Sequence, residues 1–168
     1  MVVNGNSLYR SSQLLDVPDR KVSEHGVSYG LGEAGYDIRI KQDITFYRLF
    51  GLIPMVKVVD GNQVSRHFGK FTLASAIEKF NMSPSCVAIV HDKSTWARRA
   101  LSVFNTVIEP GWKGYLTLEL VYHGRKKLHI PAGAGIAQVL FHLVQEPANY
   151  NGKYQNQENQ PVAARPSK

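Results

Sequence analysis

Tyr115-Leu116-Thr117-Leu118-Glu119-Leu120 alternates strictly between apolar and polar positions, a pattern that predicts a β-strand with two different faces. Leu116, Leu118 and Leu120 fall on one face, and Tyr115, Thr117 and Glu119 fall on the other. A single carboxylate in a strand is ordinarily a solvated outer-face residue. The turn in front of this one changes its context. Glu109-Pro110-Gly111-Trp112-Lys113-Gly114 reads as a tight connection that carries a second carboxylate to the same end of the sheet. Two carboxylates near one sheet end, one of them beside a tryptophan, are raw material for acid–base chemistry.

Outward from this strand the same period recurs. Tyr36-Asp37-Ile38-Arg39-Ile40 and residues 71–75, 87–91, 115–123 and 136–144 all alternate, with turn residues between them. Many short strands predict a mostly β domain. In residues 136–144, Gln138 and His142 share one face, opposite Ala137, Val139, Phe141 and Leu143. Helical turns are expected at residues 75–80 and at 94–103, where Trp96, Arg99, Ala100 and Val103 recur at helical spacing. Residues 1–35, broken by Pro18, Gly26, Gly30, Gly32 and Gly35, read as an irregular lead-in with a short helix hinted at residues 11–15. Residues 145–168, rich in Asn, Gln and Pro, read as a tail that supplies no core.

A chain of 168 residues is the length of one domain, so residues 1–168 are expected to share one core. Apolar residues at 43% and charged residues at 20% match ordinary globular usage and exclude collagen-like and disordered classes. No stretch reaches the roughly 18 apolar residues of a membrane span. The opening MVVNGNSLYRSS lacks the charged start and hydrophobic run of a leader. Cys86 is the only cysteine, which rules out an internal disulfide and fits a reducing, cytoplasmic setting. Twenty Lys and Arg against thirteen acids give a formal charge of +7, which favours phosphate-bearing partners. The basic groups are scattered, however, and form no nucleic-acid-binding arm.

Metal and triad chemistry can be tested by motif. One cysteine cannot supply the Pro-Cys-x-x-Cys of the zinc deaminases. His67, His91, His123, His129 and His142 show no ligand spacing, and no Gly-x-Ser-x-Gly elbow is present. The segment His91-Asp92-Lys93-Ser94-Thr95-Trp96-Ala97-Arg98-Arg99 is more informative. It follows the apolar run Val87-Ala88-Ile89-Val90 and reads as a helix start capped by Ser94 or Thr95. A capped helix start with a nearby Lys and Arg is also suited to phosphate oxygens. In the tail, Tyr150, Lys153, Tyr154 and Gln157 place aromatic and cationic groups where a nucleotide could be covered.

Together, Lys93-Ser94-Thr95-Trp96-Ala97-Arg98, Ile108-Glu109-Pro110-Gly111-Trp112-Lys113-Gly114, Leu118-Glu119-Leu120, Pro131-Ala132-Gly133-Ala134-Gly135-Ile136-Ala137-Gln138 and Gly152-Lys153-Tyr154-Gln155 resemble the dCTP deaminase family, within the trimeric dUTPase-like superfamily. Tyr36-Asp37-Ile38-Arg39 resembles the same family's early strand motif, so the resemblance spans residues 36–165. It implies a mostly β fold, a distorted β-barrel or jelly roll of the β-clip type with one or two short helices, assembled as a homotrimer with active sites between subunits. It also implies metal-independent hydrolytic deamination of dCTP to dUTP and ammonia, a step of nucleotide metabolism.

By the same resemblance Glu119 is the general acid/base, Ser94 orients the attacking water, and Lys93, Thr95 and Arg98 hold the triphosphate, with Arg98 also in the catalytic set. Trp96 and Ala97 belong to that binding segment. Glu109 stands at the sugar hydroxyl, and Thr117 and Leu118 present backbone groups to the base. Gln138 joins the binding set, and Tyr150, Lys153 and Gln157 supply tail contacts. No cofactor is bound by the protein itself; Mg2+ travels with the triphosphate. The implied partners are dCTP, dUTP, dTTP as an inhibitor, and further copies of the chain. Neither membrane nor nucleic acid is among them.

Three departures from the family pattern stand out. Glu109 replaces the usual Asp, the loop between Arg98 and Glu109 is short, and Lys93-Ser94-Thr95-Trp96 replaces the commoner Arg-Ser-Ser-Leu. The short loop leads us to expect weakened dTTP inhibition or tolerance of a 5-substituted cytosine. A bifunctional deaminase that carries dCTP through to dUMP, a dUTPase, and a non-catalytic nucleotide-binding relative remain alternatives.

Overall fold

The computed structural model describes residues 1–11, 13–15 and 17–166. Among the described residues the strands form three antiparallel sheets. The largest runs in the order Val107–Ile108, Cys86–Asp92, Gly135–Leu143, Tyr36–Arg39, Val27–Leu31, Lys21–Glu24, with Val2–Val3 added beside Gly135–Leu143. A second sheet runs Leu101–Val103, Lys113–Tyr122, Phe71–Asn81, Leu14–Leu15, and a third runs Leu128–Ile130, Asp43–Leu49, Ile53–Asp60, Gln63–Phe68. Among the described residues the helices are Gly5–Arg10 and Ser94–Ala97. The mostly β expectation holds.

The core follows the period of two. Leu118 and Leu120 are fully buried on one face of Lys113–Tyr122, while Thr117 and Glu119 are only partly covered on the other. Leu116 departs from its expected partners. A register shift between Tyr115 and Thr117 interrupts the ladder with Phe71–Asn81, and Leu116 is only half-buried. In Gly135–Leu143 the predicted inner residues Ala137, Val139 and Phe141 are fully buried, and Gln138 and His142 are half-buried. Leu143, predicted on the inner face, is exposed at the strand end.

Three local expectations are corrected. Residues 75–80 are not helical but belong to the strand Phe71–Asn81, which pairs with Lys113–Tyr122 on one edge and Leu14–Leu15 on the other. Ladder bonds on both edges, with Ala74, Ala76, Glu78 and Phe80 buried at alternate positions, outweigh the modest helix propensity of the segment. The helix beginning at residue 94 ends at Ala97, because the chain reverses through Ala100 at φ +65° and enters the strand Leu101–Val103.

The lead-in is also more ordered than expected. It carries the helix Gly5–Arg10 and a hairpin of Lys21–Glu24 with Val27–Leu31. That hairpin closes on His25 and Gly26, both at positive φ as a two-residue turn of this hand requires. No helix covers the described part of residues 11–15; Leu14–Leu15 is a short strand, and Ser12 lies outside the described residues.

Candidate active site

The strand Lys113–Tyr122 is paired along nearly its whole length by Phe71–Asn81, but its other edge is shared out. Leu101–Val103 pairs only with Leu120–Tyr122. Phe104 then donates its N–H to the Glu119 carbonyl at 2.9 Å, after which the chain turns away from the edge. At the far end the tail takes over, with Gln157 in a parallel bridge to Gly114 and the Tyr115 N–H donating to the Gln157 carbonyl at 3.0 Å. Between these two, the edge at Thr117 and Glu119 meets side chains rather than a strand. A cavity of about 520 Å³ opens there.

The Pro110-Gly111-Trp112 turn and the tail build one wall of it. Trp112 is buried and packs against Phe80 with ring centroids 6.0 Å apart, while its indole N–H donates to the Tyr154 carbonyl at 2.7 Å. Gln155 donates to the carbonyls of Gly111 and Tyr150 and accepts from the Lys113 N–H. Gly114, at φ +139°, lets the tail lie directly on the strand; a Cβ there would sit 2.6 Å from the Gln157 backbone nitrogen. The tail therefore contributes more packing than expected. Tyr150 lies against the core and Gln157 is buried, its side-chain amide donating to Thr117 Oγ1. Thr117 Oγ1 also accepts the Val162 N–H at 3.1 Å. Ser167 and Lys168, the end of the tail, lie outside the described residues.

Of the predicted site residues, the cavity collects Glu109, Thr117, Glu119, Tyr150 and Gln157. Glu119 is half-buried, as its face assignment requires, and Glu109 is exposed at the rim. Leu118 is fully buried. Its backbone groups alternate to the edge paired with Phe71–Asn81, where it lies opposite Ala74. The backbone groups turned to the cavity are those of Thr117 and Glu119, which corrects the expectation for Leu118.

The segment after the strand Cys86–Asp92 lies elsewhere. Ser94, Thr95, Ala97 and Arg98 do not line this cavity. Ser94, Ala97 and Arg98 are exposed, and Arg99 rather than Arg98 lies over the Trp96 ring, at 5.2 Å. The helix N-cap is Lys93, with no side-chain cap, not Ser94 or Thr95. Trp96 is a core residue. It is 2% exposed and its indole N–H donates to the Gly135 carbonyl at 2.6 Å, so its ring is closed off from a ligand. Lys93 is turned inward, with its ammonium 2.5 Å from Asp37 Oδ2 and 3.1 Å from Ser28 Oγ. Gln138 lies between His91 and Asp37 in the neighbouring strands, outside the cavity. Lys153 is exposed and donates to the Arg165 carbonyl, with its ammonium 5.3 Å from the Tyr154 ring centre.

Three residues escaped the sequence reading. Glu78 is buried and accepts from the Arg39 N–H at 2.9 Å and from Arg39 Nε at 2.8 Å; burial raises the carboxyl above its ordinary range, and the Arg39 contacts oppose that shift. It was hidden by the helical reading of its segment. Ser28, beside Lys93 and Asp37, sits in residues 1–35, where the broken pattern predicts no regular structure. Asn105 reaches from the short loop to the Thr117–Glu119 edge. A lone loop Asn carries no sequence signal that separates it from an ordinary turn residue.

Comparison with known proteins agrees with this architecture. A family model for dCTP deaminase-like proteins matches residues 13–144. The dCTP deaminase of Campylobacter concisus is 38% identical over 154 residues, covering 83% of each chain. That of Campylobacter curvus is 35% identical over 164 residues, covering 89% of this chain and 88% of its own. That of Acidobacterium capsulatum is 32% identical over 157 residues, covering 83% and 84%. Among solved structures, the native EIAV dUTPase superposes with a TM-score of 0.51 at 15% identity, over 84% of this chain and 92% of that one, a likeness of fold. The family match and these relatives show that the chain belongs to the dCTP deaminase family.

Proposed function

We propose that the protein hydrolyses dCTP to dUTP and ammonia, with Glu119 as the general acid/base. The observation that carries this reading is the position of Glu119. Its carboxylate lies on a cavity of nucleoside-bearing size, beside a strand edge whose Thr117 carbonyl and Glu119 N–H face the same opening. That edge offers an acceptor and a donor side by side, which suits the amino group and the 2-carbonyl of cytosine. The family membership of the chain supports the substrate.

In this mechanism Glu119 takes a proton from water as the oxygen adds to C4, and delivers a proton to ring N3. Glu119 then takes the remaining proton from the C4 hydroxyl, the tetrahedral centre collapses to a C4 carbonyl as the C4–N4 bond breaks, and Glu119 passes that proton to the departing amine, which leaves as ammonia. Metal independence is part of the proposal. It rests on the sequence, in which the dispersed histidines and the single cysteine show no metal-ligand spacing. Mg2+ enters with the triphosphate as part of the substrate.

Ser94, Thr95 and Arg98 stand apart from the cavity of their own chain, yet are exposed or half-buried on one turn. We propose that they complete the cavity of a neighbouring copy in a homotrimer, Ser94 orienting the water and Arg98 meeting the phosphates. Lys153 and Gln157 act from the tail. Product analysis after incubation with dCTP and Mg2+ tests the reading. Ammonia and dUTP without pyrophosphate are expected; ammonia with pyrophosphate and dUMP assigns the bifunctional reaction instead, and no ammonia at all removes the proposal. dTTP titration against turnover, with 5-methyl-dCTP as a second substrate, tests the role of the short loop.

A further inference from the structure

We infer that the side chain of Asn105 competes with the pyrimidine base for the strand edge at Thr117 and Glu119 and is displaced when the base binds there. Asn105 Nδ2 donates to the Thr117 carbonyl at 2.6 Å, and Asn105 Oδ1 accepts the Glu119 N–H at 3.2 Å. One planar carboxamide thus satisfies both backbone groups that the strand edge presents to the cavity. A carboxamide carries a donor and an acceptor side by side, and cytosine offers the same pair in its amino group and 2-carbonyl, with N3 between them left to Glu119. The two cannot occupy the same pair of groups.

The local structure permits the exchange. Phe104 is tied to the edge through its own N–H, and Val107 re-enters a ladder opposite Ile89, so the loop is anchored on both sides of Asn105 and Thr106. Thr106 is exposed, and Asn105 itself is only half-buried. Rotation of the Asn105 side chain frees the edge without breaking either anchor. The carboxamide gives both backbone groups hydrogen-bond partners, and a base that takes its place has to supply equivalent bonds.

The consequence is selective. A ligand that places a base on the edge competes with Asn105, whereas a ligand that uses only the phosphate groups does not. The inference rests on the reading that this edge takes the pyrimidine. It is tested by calorimetric binding of dCTP and of inorganic tripolyphosphate, both with Mg2+, to the wild type and to Asn105→Ala. Two neutral hydrogen bonds predict that the substitution tightens dCTP roughly tenfold and leaves tripolyphosphate unchanged. Unchanged or weakened dCTP binding, or equal tightening of both ligands, overturns the inference. Asn105→Ser, too short to span both groups, carries the same expectation should the alanine variant fail to fold. Ammonia release is followed in parallel, because it bears on the deaminase reading alone: tightened dCTP binding without ammonia supports the role of Asn105 and overturns that reading.

Discussion

The ammonium of Lys93 lies 2.5 Å from Asp37 Oδ2, and both side chains are about nine-tenths covered, at 10% and 7% exposure. The pair fastens the residue just before the Ser94–Ala97 turn to the strand Tyr36–Arg39, so the turn that carries Ser94 and Arg98 is held by the largest sheet. Removing one member of a buried ion pair leaves the other charge uncompensated. Asp37→Ala is expected to cost about 3–5 kcal/mol, measured by urea denaturation. A loss below about 1 kcal/mol would show that water reaches the pair as at an exposed site.

Glu78 makes a prediction whose sign depends on pH. Burial raises its carboxyl above the ordinary 4.5, so the folded state holds a proton that the unfolded chain has released. The stability from that protonation is fully present below pH 4.5 and is lost as pH rises through the higher folded value. Glu78→Gln lacks this dependence, so its stability relative to the wild type should rise from pH 5 to pH 8. Parallel urea curves at the two pH values measure it; a variant that loses ground on the wild type as pH rises contradicts the assignment.

Cys86 is buried, and burial raises its thiol above the ordinary range. The thiolate is the reactive form. Iodoacetamide at pH 8 should therefore modify the folded protein at least tenfold more slowly than the urea-unfolded chain, followed by intact mass. Equal rates would place the thiol in water.

Gly114 governs the tail. Because a Cβ there meets the Gln157 backbone, Gly114→Ala should lift the tail from the strand while the sheet beneath persists. Trypsin is then expected to cut at Lys153 early in digestion, and kcat/KM for dCTP should fall by about tenfold or more as the cavity loses that wall. Resistance at Lys153 equal to the wild type would show that the tail tolerates the extra carbon.

Much of this is legible in the sequence wherever a period of two coincides with turn chemistry. The strand around Leu118 and Glu119, its predecessor at Val87, and the inner face of Ala137, Val139 and Phe141 all followed from alternation. What failed depended on partners far along the chain. Ser75 to Phe80 has helix-compatible residues, and only strands on both flanks make it extended. The inward turn of Lys93 depends on Asp37, 56 residues away. The burial of Trp96 depends on the Gly135 carbonyl, 39 residues away. In the site, Glu119 was identifiable by its face and Glu109 by its turn. Asn105 was not, because its meaning lies in which backbone edge the fold leaves unpaired.

The most direct test of the account is the rate of ammonia release from dCTP by Glu119→Gln, with dCTP binding measured on the same preparation. Glutamine keeps the size and the cavity but cannot carry the proton. With Glu119 as the general acid/base, kcat should fall roughly 10²–10⁴-fold with affinity within a few-fold of wild type. A variant that binds dCTP and releases ammonia at the wild-type rate would contradict it.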